Sequence, residues 1–541
     1  MGDDLRAEVE AWIADDPDPA TRAELAALLA AWPGSAAALR DRFRGPLEFG
    51  TAGLRGVLRA GPHGMNLAVV TAAAAGLVRW LADAGAAGPL VVGYDARRGS
   101  AEFAARTAAV ATGAGRAALV LPGPLPTPVL AWAVREYGAA AGVMVTASHN
   151  PAQDNGYKVY LGAVGGEAGT GAQIAPPVDA AIAARIAAVG PLAAVPLGPP
   201  GTAVSPVDGY LAAAAAVVDP AGPRALTVAY SPLHGVGGAV LPDALLRAGF
   251  AAPHVVPAQA APDPAFPTVA FPNPEEPGAT DLLLAHAAAV DADLALANDP
   301  DADRCAVAVR DGGAWRALSG DELGVLLADH LLRRGVTGTF VTTIVSSSLL
   351  GTLCAAYGQP YAQTLTGFKW IVRAPGLAYG YEEALGYCVA PQAVRDKDGI
   401  TAALLVCELA AALRAQGRTL LDRLDDLARA YGVHATDQLS VRVADPRVIA
   451  DGMAALRAAP PTRLGGRAVA AEDLAPDADV LRWRAEGLRV VVRPSGTEPK
   501  LKAYLEVVVP VGGEGLAAAR AAAAVALADL RREVADLLPR A

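Results

Sequence analysis

Three aspartates alternate in Asp299-Pro-Asp-Ala-Asp-Arg304, directly after the apolar run Asp293-Leu-Ala-Leu-Ala297. In an extended segment alternate residues share one face. Carboxylates crowded on one face repel each other and raise their own pKa values unless a cation sits among them. Hard oxygen donors suit Mg²⁺, so Asp299, Asp301 and Asp303 are read as its ligands. An EF-hand begins with the same alternation but needs Gly at its sixth position and Glu at its twelfth. Arg304 and Arg310 stand there, so that reading fails. A phosphatase with an aspartyl nucleophile shares the spacing and stays open. A solvated acidic loop fits poorly between two apolar strands.

Ser148 is the second candidate. It ends the β-branched, apolar run Val143-Met-Val-Thr-Ala-Ser-His-Asn-Pro151, where Asn150-Pro151 stops regular structure. Most serines before Asn-Pro only make turns. His149 is adjacent to it rather than placed for a triad, and no nucleophile elbow surrounds it. Beside a metal site, however, a phosphorylated serine would lend an oxygen to Mg²⁺ and carry a transferable group. Arg493-Pro-Ser-Gly-Thr497 offers a guanidinium fork, two hydroxyls and a Gly-permitted nest of N–H groups, which is the composition of a phosphate cradle. Its competitor is an ordinary hairpin loop. Glu382-Glu383 lies near Gly380 and Gly386 and could accept hydrogen bonds from sugar hydroxyls. Lys158, Arg304 and Lys397 are single cations whose default is a salt bridge.

The elements that must position these groups alternate between strand and helix, the rhythm of a parallel α/β sheet. Residues 3–44 read as helices, and 48–56 as a Gly-rich turn carrying Arg55. Strands are expected at 90–95, 117–121, 225–230, 293–297 and 339–345, and helices at 69–84, 100–112, 128–137 and 322–333. The Pro/Gly/Ala-rich stretch 187–206 reads as a linker. Leu488–Val492 and Leu501–Val508 suggest a hairpin around the Arg493 loop, and 514–538 a closing helix. Ligands in such sheets sit beyond the carboxyl ends of the strands, where Ser148 falls.

The 541 residues suffice for three or four domains. A net charge of −10 argues against a nucleic-acid surface. The acidic N-terminus does not resemble a signal peptide, and no apolar run is long enough for a membrane span. Cys305, Cys354, Cys388 and Cys407 are far apart and read as reduced core thiols of a cytoplasmic protein.

Taken together, Thr146-Ala-Ser-His-Asn-Pro151, Asp299-Pro-Asp-Ala-Asp-Arg304, Tyr381-Glu-Glu-Ala-Leu-Gly386 and Arg493-Pro-Ser-Gly-Thr-Glu-Pro-Lys500 resemble the α-D-phosphohexomutase superfamily, in family order. Tyr230-Ser-Pro-Leu-His-Gly-Val-Gly-Gly238 and Thr366-Gly-Phe-Lys-Trp370 look like its phosphoglucomutase/phosphopentomutase branch. The resemblance implies an α/β protein with three similar domains of mixed, largely parallel sheets and a smaller α+β C-terminal domain, around a central cleft. The expected units are 1–205, 206–318, 319–440 and 441–541. It implies Ser148, with His149, Lys158 and Arg55, as the catalytic set, and Ser148, Asp299, Asp301 and Asp303 as the Mg²⁺ site. Arg304, Thr366, Gly367, Glu382, Lys397, Arg493, Ser495, Gly496 and Thr497 would bind substrate. The implied reaction interconverts a sugar 1-phosphate and a sugar 6-phosphate, glucose preferred, through phosphoserine and a sugar bisphosphate that also serves as activator. Mannose and pentose phosphates are the alternatives, because Ala384 stands where many hexomutases carry Ser. No partner beyond the phosphosugar is expected, and the protein would be a monomer or dimer. Two other classes stay open. A phosphatase of this spacing usually has Thr or Val in place of Asp303. A non-catalytic binder would have no need of Ser148 with all three aspartates.

Overall fold

The computed structural model describes residues 2–50, 53–443, 445, 447–495 and 500–539. Three helices, Gly2–Asp15, Pro19–Ala30 and Ala36–Arg42, open the chain. They close on a small core of Val9, Leu25, Leu39 and Phe43.

The first sheet has six strands in the order Leu54–Val57, Asp154–Leu161, Ala141–Val145, Leu90–Tyr94, Ala118–Val120 and Thr202–Ala203. Its middle strands are parallel. Every residue of Ala141–Val145 is buried, as expected of a parallel strand covered on both faces. Helices Leu67–Asp83, Ser100–Gly113 and Thr127–Glu136 lie close to the expected positions.

Two expectations for this domain are corrected. Arg55 is not on a turn but in the edge strand Leu54–Val57, opposite Gly156. The glycines signal a turn locally, yet pairing with Asp154–Tyr157 extends the backbone. Gly53 permits the approach, since a Cβ there would lie 1.7 Å from the Tyr157 carbonyl oxygen. The stretch 187–206 is not purely a linker, because Thr202–Ala203 pairs in parallel with Leu119–Val120. A two-residue strand is too short to show a period.

The second sheet runs Ala314–Ala317, Ala306–Asp311, Leu294–Ala297, Val228–Ser231 and His254–Val255. Gly312 and Gly313, both with positive φ, turn its hairpin. The third runs Tyr361–Thr364, Thr339–Thr343, Leu377–Glu382 and Gly386–Cys388, with only the last pair antiparallel. The fourth is wholly antiparallel: Val433–Arg442, Lys500–Val509, Leu488–Pro494, Leu481–Ala485 and Ala470–Asp473. Helix Gly515–Leu537 buries Ala519, Ala523, Leu530 and Val534 along one face. The expected boundary after residue 440 falls inside Val433–Arg442, all ten of whose residues pair with Lys500–Val509 of the fourth sheet. The first five residues of Val433–Arg442 are half-buried, the last five alternate exposed with half-buried, and none is fully buried.

One continuous apolar core joins the first three domains, from Val91 through Tyr230 and Phe340 to Leu427. The fourth domain has a core of its own around Trp483, Val490 and Leu505. Among the described residues no helix is long and apolar enough to cross a membrane. All four cysteines are free and buried.

Candidate active site

Ser148 lies three residues beyond strand Ala141–Val145 and adopts φ +51°. A left-handed serine is uncommon and persists only where its surroundings hold it. Its Oγ donates to Asp299 Oδ2 at 2.7 Å and stands 3.2 Å from His149 Nδ1. The serine of the first domain thus meets the aspartate loop of the second. That loop has its own left-handed residue, Ala302, which lets Asp299, Asp301 and Asp303 converge.

All three aspartates are fully buried. Asp301 Oδ2 accepts from Lys158 Nζ and from Thr127 Oγ1, each at 2.6 Å. Asp303 Oδ2 accepts from Lys158 Nζ at 2.9 Å and lies 3.4 Å from Lys397 Nζ. These environments push the carboxyls apart. Burial, then Asp301 and Asp303, holds Asp299 well above the usual carboxylate range. Burial would raise Asp301 and Asp303 too, but Lys158 brings Asp301 below the usual value, and Lys158, Lys397 and Arg304 do so for Asp303. Lys158 stays an ammonium because these carboxylates outweigh its burial.

Two carboxylate oxygens, Asp301 Oδ1 and Asp303 Oδ1, are buried without any partner. Leaving such a group unpaired costs about 1–3 kcal/mol each, more for a charge. One ligand oxygen from each of the three aspartates fits within 4.8 Å of the others. The trio therefore fits a hard divalent cation, whose charge would also return Asp299 to its ionised form.

Cations ring this centre. Arg55 Nη1 donates to Asn150 Oδ1 at 3.0 Å. Burial, then Arg304 and Arg55, lowers His149 well below its ordinary value and keeps it neutral. The Arg304 amide donates to Asp299 Oδ1, and its Nη1 donates to Glu275 Oε2 and to the Ala384 carbonyl. Arg304 also pairs as backbone with Gly386, and Cys305 N donates to Leu385 O. Lys397 precedes Asp398, which caps helix Gly399–Arg414 through the Ile400 and Thr401 amides. Asp396 on its other side accepts from Tyr160 and Gln173 of the first domain.

Glu382 ends strand Leu377–Glu382, and burial, only partly offset by Lys397 and Arg304, raises its pKa to about 7. Gly386 leaves room there, since a Cβ would meet Lys397 Cδ at 2.4 Å and Glu382 Oε1 at 2.9 Å. Glu383 turns instead to Thr343 and Ser346. Thr366 and Gly367 follow strand Tyr361–Thr364, on the same carboxyl edge as Glu382. The next residue, Phe368, lies under Lys397 at 5.6 Å. In the fourth domain Arg493 lies near the end of strand Leu488–Pro494, and Ser495 N donates to Lys500 O across the loop base. Gly496 and Thr497 lie outside the described residues. Tyr504 beside Arg493 shares with Glu275, Glu383 and Leu385 a cavity of about 420 Å³ where the last three domains meet.

The four segments 46–191, 208–313, 319–431 and 439–523 match, in order, domains I, II and III and the C-terminal domain of phosphoglucomutase/phosphomannomutase. The chain belongs to this family. The mutase is 44% identical over 82% of its length to a Haemophilus influenzae protein named "Probable phosphomannomutase", of which 93% is covered. It is 32% identical to the phosphopentomutase of Mus musculus, covering 95% of this chain and 92% of that one. It is 31% identical to a phosphoglucomutase of Staphylococcus aureus, covering 87% and 91%. A solved structure from Thermus thermophilus, assigned as a phosphomannomutase, superposes with a TM-score of 0.71 at 27% identity, covering 91% of this chain and 99% of that one. The mutase is thus an intramolecular phosphotransferase.

Several groups around the mutase's site escaped the sequence reading. Thr127 bonds Asp301, and the pair Tyr160/Gln173 bonds Asp396 beside Lys397, all from well over a hundred residues away. No local pattern could have marked them. Glu275, which meets Arg304, is nearer in sequence. The run Pro274-Glu-Glu-Pro277 is a visible acidic turn, but nothing in the sequence ties it to Arg304.

Proposed function

We propose that the mutase interconverts the 1- and 6-phosphates of glucose through phospho-Ser148 and a glucose bisphosphate. The observation that carries this reading is the Ser148–Asp299 hydrogen bond across two domains, beside two carboxylate oxygens without partners. Phosphoryl transfer asks for positioned oxygens and positive charge more than for covalent chemistry by the protein. A bound Mg²⁺, held by Asp299, Asp301, Asp303 and the serine oxygen, would neutralise charge on the phosphoryl group. The chain's own residues do the rest. Neutral His149 stands where it can hold a proton at Ser148 Oγ. Lys158, Arg55 and Arg304 supply fixed positive charge. Glu382 and Thr366-Gly367 would take sugar hydroxyls, Lys397 would add charge at the sugar loop, and Arg493, Ser495, Gly496 and Thr497 would hold the phosphate that is not moving.

In each half reaction one P–O bond to Ser148 breaks and one to the sugar forms, or the reverse, and the hydroxyl proton passes to the departing oxygen. Asp299 Oδ2 is engaged by Ser148 and Asp301 Oδ2 by Lys158 and Thr127, and the presence of Ser148 within this network favours a serine carrier over an aspartyl phosphatase nucleophile. Pentose phosphates form a second reading. Residue 384 offers only a methyl group and a carbonyl already bonded to Arg304, so the loop lacks one sugar-hydroxyl contact. Phosphate NMR on glucose, mannose, glucosamine and pentose 1-phosphates should show isomer and no net free phosphate, with glucose giving the highest kcat/KM. Free phosphate as the main product would overturn the mutase chemistry, and a pentose preference the sugar.

The phosphate grip has its own test. Arg493→Lys keeps the charge but loses the planar fork. It should raise KM for the sugar phosphate by about tenfold or more while leaving phospho-Ser148 at its wild-type level. An unchanged KM would reduce the loop to a hairpin turn.

A further inference from the structure

We infer that Arg97, in the first domain, is the positioning residue that sets the geometry of the phosphoryl carrier; this rests on Ser148 being that carrier. Arg97 is 4% exposed, and its guanidinium is spent on backbone. One Nη donates to the carbonyls of Ser148 at 2.6 Å and Asn150 at 2.5 Å. The other donates to those of Pro151 at 2.8 Å and Asp154 at 3.1 Å. These four carbonyls span the loop from the left-handed serine to the start of the strand bearing Lys158. A planar fork can hold several carbonyls at once, whereas an ammonium is a compact point charge on a flexible stem.

The same guanidinium is tied to the serine by a second route. Its Nε lies 3.3 Å from Asp95 Oδ2, which accepts from Thr146 Oγ1 at 2.6 Å, and Thr146 Oγ1 accepts the Ser148 amide at 2.9 Å. Both sides of the strained residue, its N–H and its C=O, are therefore fixed by one buried ion pair. Phe266 of the second domain stacks on the guanidinium at 5.0 Å, so the clamp is completed only when that domain is docked. A buried charge is costly, and here Nε is buried without a hydrogen bond and faces Asp95 only as an ion pair, a cost that a fold needing only a turn would not carry. What the clamp supplies is an aim: Ser148 Oγ points at Asp299, in another domain.

A group acting through position should change turnover rather than substrate grip. In Arg97→Lys, kcat should fall by about 10²-fold, the scale of a misplacement of about 1 Å. KM for the sugar phosphate should stay within about twofold of wild type. Intact mass should show that dephosphorylated enzyme given glucose 1,6-bisphosphate acquires phosphate on Ser148 more slowly by the same factor. If Arg97→Lys does not fold, Thr146→Val, a near-isosteric change that breaks the second route, must show the same split. Unchanged kcat in the folded variant, or a KM that rises along with the loss of kcat, would overturn the inference. A wild-type enzyme that never gains phosphate at Ser148 would overturn the carrier instead.

Discussion

Ser148→Ala should give a folded protein whose turnover is lower by about 10⁴-fold or more, the scale on which losing a covalent nucleophile is felt. The substitution removes one hydroxyl. It leaves the backbone ties of the loop intact, because the Arg97 and Thr146 contacts run to the serine's main chain. The structural cost is the bond to Asp299 Oδ2, a buried acceptor, worth about 1–3 kcal/mol. That is a small part of the stability of a core running through three domains, so loss of activity and loss of fold should separate. Intact mass should find phosphate on the wild type and none on the variant after incubation with sugar bisphosphate. An active Ser148→Ala enzyme would mean that the phosphoryl group travels by another route.

Asp301→Asn should be nearly as damaging, by about 10³-fold in turnover, the weight of several kcal/mol of charge stabilisation. Asp301 Oδ2 is committed to Lys158 and Thr127, while Oδ1 is buried and unpaired. An asparagine would keep its oxygen on Lys158 and Thr127 and turn its NH₂ toward the cation site, where it can donate only. The same replacement deprives Lys158 of one of its two anionic partners, so the variant loses some stability as well. Chelator should abolish wild-type turnover and added Mg²⁺ should restore it. Full wild-type turnover in excess chelator would leave the trio as an internal counter-charge for Lys158 and Lys397 alone.

The clusters of the candidate site were legible because each is short, local and wrong for a core. Alternating aspartates, a serine after an apolar run and an Arg-Pro-Ser-Gly loop are visible without neighbours. The α/β rhythm was equally legible where strands are continuously apolar, as at Leu90–Tyr94. What stayed hidden depends on pairing across distance. Arg55 looks like part of a turn until Asp154–Tyr157 lies beside it. Thr202–Ala203 is a strand only because Leu119–Val120 is there to receive it. Arg97 carries no mark in the sequence, since its acceptors are carbonyls more than fifty residues on. Carbonyl acceptors have no side-chain signature at all.

The backbone pairing of Arg304 with Gly386, with Cys305 N on Leu385 O, bears on how such enzymes can be recombined. The Asp299–Arg304 loop and the Glu382–Gly386 loop are stitched main chain to main chain, and a Cβ at Gly399 would lie 2.2 Å from the Arg304 carbonyl oxygen. A Glu382–Gly386 loop grafted from another mutase would therefore arrive with its edge unmatched, and the error would pass straight to Asp299 through the Arg304 amide. The second and third domains would have to be exchanged together, and their common core and bonds with the first would have to be kept. The fourth has its own core but is tied to the third through Ile344, Val345, Val491 and Tyr504 and through Glu506 on Ser347 and Ser348, so a crossover before Val433 spares the strand that follows but must keep those contacts.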